Sequence, residues 1–544
     1  MTAGRTPWLV LVTVLLVLAA TALRVRAAAR PGLWADEIFS LAMATGHSLE
    51  HPAAVADPRL GDFVQPREAQ PPRVFRRYAA AEEHPAGAGR VIRAVLLSDT
   101  SPPMYYLLLN LWSRAFGTGD AALRMFSVWW AALSLPLLWL LGRELGGARA
   151  AWSACLLFSF SPVAFYYSVE GRMYSLLWFL GLALAWLTLR VAGGGRPWQA
   201  ALWVVTGAAG LLTHYFFAFV WVACAGWLWC AGPPSARRRL AALAGITLLA
   251  VLPWYAQVPA SVARWRVSGD WLSGDLTWPR ALGQPFVLAG SLLSGRTDLG
   301  GWRWAGRVTA ALLVLVLVLA MILREPARRM FSRGGLLLWA WLAAACAGPL
   351  AFDLLHDTTT TNIPRYVLAG LPAALLLVAL GVSRLPPKMN VALLSVLLLA
   401  WLPGIRAAAA ASVPRPRQPY RELDARLESW ARPGDIVLVR SIPSGVVGVA
   451  RYLKRDIPLA SWVTQLGTRE VPADLEPLLR GRRRVALATI HNLGAPDDVE
   501  PWLRAHARLL GRDTFHDSRA EVLYFAPASG TSFFLDAPMA ARWE

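Results

Sequence analysis

Residues 122–191 read ALRMFSVWWAALSLPLLWLLGRELGGARAAWSACLLFSFSPVAFYYSVEGRMYSLLWFLGLALAWLTLRV and carry three long apolar runs. The first two runs are separated by an arginine-containing turn, and the second and third by the short polar segment VEGR. A helix crosses the hydrocarbon core of a bilayer with about 20 mostly apolar residues. The pattern therefore predicts three successive spans, Leu123–Leu141, Ala150–Tyr166 and Met173–Val191, whose connecting turns lie on alternate sides of a membrane.

The same pattern continues on both sides of this stretch. The whole chain is 56% hydrophobic and has a mean hydropathy of +0.42, which is above the range of soluble globular proteins. We predict an all-α polytopic membrane bundle of about eleven transmembrane helices, followed by a small C-terminal α/β domain. The other eight predicted spans are Trp8–Leu23, Trp198–Leu212, Phe216–Cys230, Leu240–Tyr255, Val308–Leu323, Leu336–Ala351, Tyr366–Val382 and Val391–Leu402.

Arginine is concentrated in alternate loops, which predicts the orientation of the bundle. Loops rich in Lys and Arg stay in the cytoplasm. Making the apolar segment Pro102–Phe116 a further span would place the later arginine clusters outside, so we predict a helix on the outer membrane surface there. The first long loop, 24–122, and everything after residue 405 then lie outside a cell membrane. The cytoplasmic clusters are Arg143 and Arg149, Arg190 and Arg196, Arg237–Arg239, Arg324–Arg333, and Arg384 with Lys388.

The net charge of +20 does not indicate a nucleic-acid partner. Of the 54 basic residues only Lys388 and Lys454 are lysines, and the arginine excess accompanies abundant Ala, Gly and Pro, as in GC-rich coding sequences. The four cysteines fall in apolar runs and show neither a CxxC pattern nor a Cys/His metal spacing. We therefore expect inert packing cysteines, and neither a disulfide framework nor a zinc site.

The chain divides into three parts. Residues 1–405 are the predicted membrane domain, and the Pro/Arg-rich segment 406–419 is the predicted linker. In residues 420–544, short β-rich runs alternate with helical stretches, which is typical of a small α/β domain. The runs are IVLV at 436–439, RVALATI at 484–490 and EVLYF at 521–525.

Two adjacent carboxylates open the first long loop. The sequence LWADEIFSLAMATG predicts a short helix that begins near Asp36 and Glu37 and ends at Gly46. Acids are favoured at a helix N-terminus, where the dipole stabilises them by about 0.3–1 kcal/mol. A carboxylate beside the bilayer can equally take a proton from an acceptor hydroxyl. We predict a catalytic role for Asp36 and Glu37, with helix capping as the alternative.

Further polar residues map to the same predicted side of the membrane. Each has an ordinary structural explanation, such as a solvated helix end, or an arginine whose charge reaches the headgroups along its apolar stem. Their convergence on one face favours a substrate-binding or phosphate-binding site. The predicted binding residues are Asp99, Glu170, Arg172, His214, Arg365 and Tyr366.

In this order, several motifs resemble the bacterial GT-C glycosyltransferases related to protein O-mannosyltransferases and the lipid A aminoarabinose transferase. The resemblance implies a multi-span helical bundle with juxtamembrane helices in the first outer loop. It also implies transfer of a sugar from a polyprenyl-phosphate donor to an acceptor on the outer face. The family's first acid falls on Asp36, and its second acidic segment on Glu170. The motifs are LWADEIFSL, DTSPPMYYLLLNLW, ALRMFSVWWAALSLPLLWLLGRELGG, SPVAFYYSVEGRMYSLL, LLTHYFFAF and PRYVLAGLPA.

Such a donor leaves as a phosphate monoester, so catalysis requires a base for the acceptor and cations for the phosphate. Asp36 fits the first role, and Arg172 and Arg365 fit the second because a guanidinium can bind two phosphate oxygens at once. The sequence requires no cofactor. A divalent metal, Mg²⁺ or Mn²⁺, is a possible addition, since Asp36, Glu37 and Asp99 offer oxygen ligands. The expected partners are the donor lipid, membrane lipids and an acceptor glycan, lipid or protein.

Two other functions compete with this one. A flippase for lipid-linked glycans would cross the same membrane, but coupled transporters generally carry charged groups in the middle of their spans, and the eleven apolar cores show none there. A membrane-anchored scaffold whose working part is the C-terminal domain is the third possibility. In that case changes at Asp36 would leave the function intact.

Overall fold

The fold was analysed in a computed structural model of the 544-residue chain. The structure describes the residues in ten segments and four isolated positions, and all statements below refer to them. They are 6–30, 32–51, 55–98, 101–264, 278–294, 325–410, 418–466, 469–492, 497–515 and 520–534, with residues 274, 311, 315 and 322.

The described elements before residue 411 are all helices. In chain order the helices are α1 (Thr6–Ala28), α2 (Ala35–Ala44), α3 (Pro72–Arg76), α4 (Ala88–Ser98), α5 (Met104–Phe116), α6 (Asp120–Gly146), α7 (Ala148–Phe160), α8 (Pro162–Ser168), α9 (Tyr174–Ala192), α10 (Pro197–Leu211), α11 (Phe217–Ala231), α12 (Pro234–Tyr255), α13 (Val258–Arg264), α14 (Trp278–Ser294), α15 (Glu325–Met330), α16 (Arg333–His356), α17 (Leu371–Val382) and α18 (Pro387–Ala410). A 3₁₀ segment, Pro364–Gly370, leads into α17.

Among the described residues, seven helices are long and apolar enough to cross a membrane, and an eighth results if the bent pair α7 and α8 counts as one span. The chain is thus a multi-pass membrane protein. Ten of the eleven predicted runs coincide with described helices. Most of the remaining run, Val308–Leu323, lies outside the described residues, and α10 and α11 have only 15 residues each. The number eleven therefore remains a prediction.

The bend between α7 and α8 has a local cause. Pro162 has no N–H group to donate to the carbonyl of Phe158, four residues earlier. The two helices meet at 61°. The buried guanidinium of Arg24, near the end of α1, donates to the carbonyls of Phe158 (3.2 Å) and Ser159 (2.8 Å) and to the hydroxyl of Ser168 (2.8 Å). One arginine thus satisfies the backbone groups that the bend exposes and fixes the direction of α8.

The first long loop folds into its own layer of short helices. Helix α5 packs against α2, α4 and α6. The amide of Asn110 in α5 donates to the carbonyl of Ala44 at 2.8 Å and so joins α5 to the end of α2. With 13 residues, α5 is too short to be a span, in agreement with the treatment of Pro102–Phe116 as a non-spanning helix. The predicted helices in this loop are thereby confirmed.

Several of the arginine-rich loops meet at one end of the bundle. Arg190 in the last turn of α9 pairs with Glu144 at the end of α6 (2.7 Å), and Arg384 after α17 donates to the carbonyl of Gly146 (3.2 Å). At the opposite end, the loop carrying Arg172 contacts α2. The alternation read from the sequence therefore corresponds to two chemically different ends of one bundle.

This arrangement predicts the sidedness of reporter fusions. We expect topology reporters fused after Arg239 and after Arg329 to lie in the cytoplasm, because their loops carry clustered arginine. Fusions after Ser168 and after Arg406 should report the opposite side. Paired alkaline phosphatase and fluorescent-protein fusions measure both sides in the same cells. An inverted result at any of the four positions would contradict the orientation.

The C-terminal part is an α/β domain, as predicted. Its five-stranded sheet has the order β2-β1-β3-β5-β4, in which β1 is parallel to β2 and β3 while β5 is antiparallel to β3 and β4. Strands β1, β3 and β5 contain the three β-rich runs found in the sequence. The elements are α19 (Tyr420–Trp430), β1 (Ile436–Arg440), α20 (Pro443–Tyr452), β2 (Leu459–Trp462), α21 (Leu475–Leu479), β3 (Val485–Ile490), α22 (Val499–His506), β4 (Ala507–Phe515) and β5 (Ala520–Pro527).

The α/β domain is joined to the first long loop by backbone pairing. Gln70 and Leu459 of β2 exchange two backbone hydrogen bonds of 2.7 and 2.8 Å. The predicted linker, 406–419, overlaps the end of α18, and residues 411–417 lie outside the described part.

Candidate functional site

Helix α2 begins where the first loop leaves the membrane part. Trp34 is its N-cap and has an extended backbone, and Asp36 and Glu37 occupy the first turn. The helix ends before Gly46, whose φ of +79° is a left-handed conformation that glycine adopts without strain. Both predicted boundaries are therefore present, and the two acids lie at the positive end of the helix dipole.

Glu37 is fully buried and engaged on both carboxylate oxygens. Its Oε1 accepts from Arg124 Nε (2.7 Å) and from the backbone N–H of Gly171 (2.9 Å). Its Oε2 accepts from Arg124 Nη2 (2.7 Å) and from the backbone N–H of Trp34 (3.2 Å). The side chain is 0% exposed. This geometry favours a structural role for Glu37 and departs from the catalytic role predicted for it together with Asp36.

Asp36, one residue earlier, lies about 100° away around the helix axis. Its side chain is 25% exposed, and Oδ2 lies 3.3 Å from Nη1 of Arg365. Arg365 is 12% exposed and lies 5.5 Å from the centre of the Tyr366 ring. The partners of this ion pair are 329 residues apart in the sequence. Of the two acids, Asp36 is therefore the one that a substrate can reach.

Arg172 approaches the same helix from the loop between α8 and α9. Its Nη1 lies 3.1 Å from Ser40 Oγ, 3.4 Å from the carbonyl of Asp36 and 3.5 Å from Tyr106 Oη. The glycine before it is required by packing, because a Cβ on Gly171 would come within 2.5 Å of the Leu123 side chain. Two guanidinium groups thus lie next to the start of α2.

His214 lies in the turn between α10 and α11 and is affected by both arginines. Burial, together with the charges of Arg172 and Arg365, lowers the pKa of His214 to about 4. The imidazole is therefore neutral at physiological pH. Because Nδ1 accepts the backbone N–H of Phe216 (3.1 Å), the proton is assigned to Nε2. His214 is thus a hydrogen-bond donor in the site, and neither a cation nor a strong base.

The segment that presents Arg365 is an irregular backbone inside the bundle. The 3₁₀ turn leaves carbonyl groups without α-helical partners, and such groups must be satisfied where water is absent. The buried indole N–H groups of Trp178 and Trp341 donate to the carbonyls of Leu368 and Ala369, each at 2.8 Å. These two tryptophans hold the turn after Arg365 in place.

Asp353 organises the loop before Arg365, and the sequence analysis missed it. This buried carboxylate near the end of α16 accepts from the hydroxyl of Thr358 (2.7 Å), from the hydroxyl and backbone N–H of Thr361 (2.7 and 2.9 Å) and from both donors of Thr360. A buried acid that follows an apolar run and precedes a Thr-rich loop was the available signal. The contacts join the TTTT segment to α16 directly ahead of Pro364.

The remaining predicted residues are placed as follows. Glu170 is buried, and its backbone carbonyl accepts from Arg172 N at 2.7 Å. Tyr366 packs edge-on against Phe216 with ring centres 5.7 Å apart. Asp99 lies outside the described residues. The structure thus brings Asp36, Arg172, His214, Arg365 and Tyr366 to one end of the bundle.

Of the predicted oxygen ligands, Glu37 fits a divalent metal poorly, and Asp99 lies outside the described residues. Each Glu37 oxygen already accepts two N–H groups, so ligation would cost those hydrogen bonds. Within the described ranges there is no group of three or more His, Cys, Asp or Glu side chains with metal-site geometry. We derive no step through a metal.

Comparison with known proteins supports the resemblance read from the sequence. A family model described as dolichyl-phosphate-mannose-protein mannosyltransferase matches residues 100–256, less than a third of the chain. That region contains α5 to α12, including Arg172 and His214. No curated protein sequence matches the chain significantly.

Solved structures confirm the GT-C fold. The apo crystal structure of ArnT from Cupriavidus metallidurans matches with a TM-score of 0.60 at 13% identity, covering 96% of this chain and 98% of that one. The structure of the same protein bound to undecaprenyl phosphate matches over the same shares at 13% identity, with a TM-score of 0.55. At this identity the likeness establishes the fold, which includes both the helical bundle and the small C-terminal domain.

Proposed function

We propose that this chain is a membrane glycosyltransferase that moves a sugar from a polyprenyl-phosphate donor to a hydroxyl of an acceptor glycan, lipid or protein on the extracytoplasmic face. The observation that carries the proposal is the accessible Asp36 carboxylate 3.3 Å from Arg365, with Arg172 in contact with the helix that carries Asp36. One base and two cations are what transfer from a lipid phosphate requires. The match to a mannosyltransferase family and the fold shared with ArnT support it.

In the proposed reaction, Asp36 accepts the proton of the acceptor hydroxyl as its oxygen bonds to the anomeric carbon of the sugar. The bond between that carbon and the phosphate oxygen breaks, and its electron pair leaves with the polyprenyl phosphate. Arg172 and Arg365 stabilise the charge that develops on the phosphate. The Nε2–H of neutral His214 offers a further hydrogen bond.

The ion pair between Asp36 and Arg365 affects the order in which donor and acceptor bind. Without donor, the Arg365 guanidinium neutralises the carboxylate that must act as the base. A donor phosphate at the same depth would compete for Arg365, because guanidinium and phosphate form paired charge-assisted hydrogen bonds. Donor binding would then release Asp36 for the acceptor, which favours binding of the donor before the acceptor.

The proposal is tested by following the fate of the donor lipid. Purified protein in nanodiscs, supplied with polyprenyl-phosphate mannose and a membrane extract containing acceptors, should release free polyprenyl phosphate. The lipids that copurify with the protein, identified by mass spectrometry, give the second donor to assay. A flippase would move the donor lipid unchanged between leaflets. Translocation without any release of polyprenyl phosphate would overturn the proposal.

Arg365→Lys should weaken the binding of undecaprenyl phosphate about tenfold. Lysine keeps the charge and the long stem but loses the second hydrogen bond of the guanidinium fork, and a hydrogen bond to a charged group contributes about 1.5 kcal/mol. Native mass spectrometry with undecaprenyl phosphate measures the change, and undecaprenol serves as the uncharged ligand.

Arg333→Lys is the matched control, since Arg333 also begins a helix and lies 5.7 Å from an aromatic ring, that of Trp227, at the opposite end of the bundle. It should bind undecaprenyl phosphate as the wild type does. Equal affinities of Arg365→Lys and the wild type would contradict the phosphate-binding role. Arg365 would then be an arginine that only extends its charge to the lipid headgroups.

A further inference from the structure

The backbone that leads into α2 is held by the C-terminal domain and by the segment that leads into that domain. The N–H of Leu33 donates to Tyr452 Oη at 2.6 Å, and the N–H of Ala35 donates to Gln418 Oε1 at 2.8 Å. Both backbone positions are buried, and the Gln418 side chain belongs to a residue only 3% exposed. These contacts join residues 419 and 383 positions apart in the sequence.

One of these contacts satisfies an N–H group that α2 leaves without a partner. The first N–H groups of a helix have no acceptor within the helix, and an N-cap side chain of Ser, Thr, Asp or Asn usually accepts from the second or third of them. The N-cap here is Trp34, whose side chain makes no such bond. Gln418 accepts the N–H of Ala35, the first residue of the helix. The helix that carries Asp36 is therefore fixed at its start by a residue that follows the bundle in the sequence.

A buried carboxylate fixes α20 of the C-terminal domain to the membrane part. Asp120, the first residue of α6, accepts from Tyr452 Oη and from the backbone N–H of Gly32, both at 2.7 Å. Arg451 pairs with the other oxygen of Asp120 (2.9 Å) and donates to the carbonyl of Thr118 (2.7 Å). Tyr452 therefore bridges α6 and the start of α2 with one hydroxyl.

We propose that the C-terminal domain and the segment that leads into it are a working part of the active site, in which Gln418 and Tyr452 are positioning residues that set the place of Asp36. This inference rests on the proposed function, because the position of Asp36 affects the reaction only if Asp36 takes part in it. The two residues act through the backbone of 33–35 and do not touch the substrate. A displacement of a base by about 1 Å can slow a reaction by up to about 100-fold.

The test uses two substitutions that keep shape and remove the hydrogen bonds. Gln418→Met leaves the N–H of Ala35 without its acceptor, and Tyr452→Phe removes the hydroxyl shared by Leu33 and Asp120. Each should lower kcat for release of polyprenyl phosphate from polyprenyl-phosphate mannose by about 10- to 100-fold. The donor KM should stay unchanged, because Arg172 and Arg365 lie on other elements, the loop before α9 and the 3₁₀ segment before α17.

Gln199→Met is the matched control. Gln199 Oε1 accepts the backbone N–H of Arg196 at the start of α10, at 2.9 Å, so the same substitution removes the same kind of bond at a helix remote from Asp36. Its kcat should equal that of the wild type. Unchanged binding of undecaprenyl phosphate by Gln418→Met and Tyr452→Phe shows that both variants are folded.

The outcomes separate this inference from the function on which it rests. If Asp36→Asn is inactive while Gln418→Met and Tyr452→Phe keep the wild-type kcat, the positioning role is wrong and the proposed function stands. If Asp36→Asn transfers sugar at the normal rate, the catalytic assignment of Asp36 is wrong, and Gln418 and Tyr452 have no base to position. A rise in donor KM equal to the fall in kcat, or loss of undecaprenyl phosphate binding, would assign the two residues to general folding and overturn the inference.

Discussion

Asp36→Asn is expected to lower the rate of sugar transfer about 100-fold or more while leaving the melting temperature of the protein nearly unchanged. A positioned general base contributes about 10²- to 10⁴-fold to a rate, and an amide cannot take the acceptor proton. The structural cost is small. The lost interaction with the helix dipole is worth about 0.3–1 kcal/mol, and the partly exposed pair with Arg365 about 0–1 kcal/mol.

The comparison needs an aspartate whose loss should not affect the reaction. Asp57 lies in the same long loop, caps the short 3₁₀ helix Pro58–Leu60 and accepts the N–H of Arg59 at 2.9 Å. Asp57→Asn therefore controls for the loss of one loop carboxylate. Transfer rates and apparent melting temperatures of both variants, measured in one detergent, decide the matter. A normal rate in Asp36→Asn would leave Asp36 as a residue that only stabilises the start of α2.

The sequence indicated the candidate site through local signals. A helix start is visible in LWADEIF because acids precede an apolar run, and a membrane span is visible because it needs a long uncharged stretch. The sequence could not show which of two adjacent acids faces the substrate. That depends on Arg124, four residues into α6, which pairs with Glu37 across 87 positions of the chain. Nothing local to either residue indicates the pairing.

The sequence missed two parts of the site: Asp353 contacts residues five to eight positions further along the chain, whereas Gln418 contacts a residue 383 positions away. Asp353 reads as an acid at the end of an apolar run, and Gln418 reads as a linker residue next to prolines. Only the folded chain brings Gln418 to the first turn of α2, where the side chain of the N-cap residue, Trp34, accepts no helix N–H group. The periodicity of apolar residues indicates which face of a helix or strand is buried. It does not indicate which distant side chain contacts that helix or strand.

In the sheet of the C-terminal domain, too, some strands could be predicted from the sequence and others could not. Strands β1, β3 and β5 are largely buried, so their apolar β-branched runs were recognisable. Strand β2 has only four residues, and β4 is a largely exposed edge strand. Short strands and exposed edges lack the alternation of apolar and polar residues from which strands are predicted. These two strands were therefore missed, although the α/β class was found.

Glu37→Gln should destabilise the protein by roughly 3 kcal/mol, because removing one partner of a buried ion pair leaves the other charge uncompensated. The amide of glutamine also does not match the hydrogen-bond donors around this position. Its oxygen can replace one carboxylate oxygen, but its NH₂ group would face two of the four N–H donors that Glu37 now accepts, which come from Arg124, Gly171 and Trp34. The start of α2 and the loop before Arg172 should loosen together.

Glu144→Gln is the matched control, since Glu144 pairs with Arg190 at the same 2.7 Å but is 29% exposed and lies at the opposite end of the bundle. Exposed pairs contribute about 0–1 kcal/mol, so its melting temperature should barely change. Thermal unfolding of both variants beside Asp36→Asn then separates the two neighbouring acids. Glu37→Gln should lose stability first and Asp36→Asn should lose only activity, because one carboxylate holds the helix and the other acts from it. A stable Glu37→Gln that has lost transfer would instead give Glu37 the catalytic role that the sequence suggested.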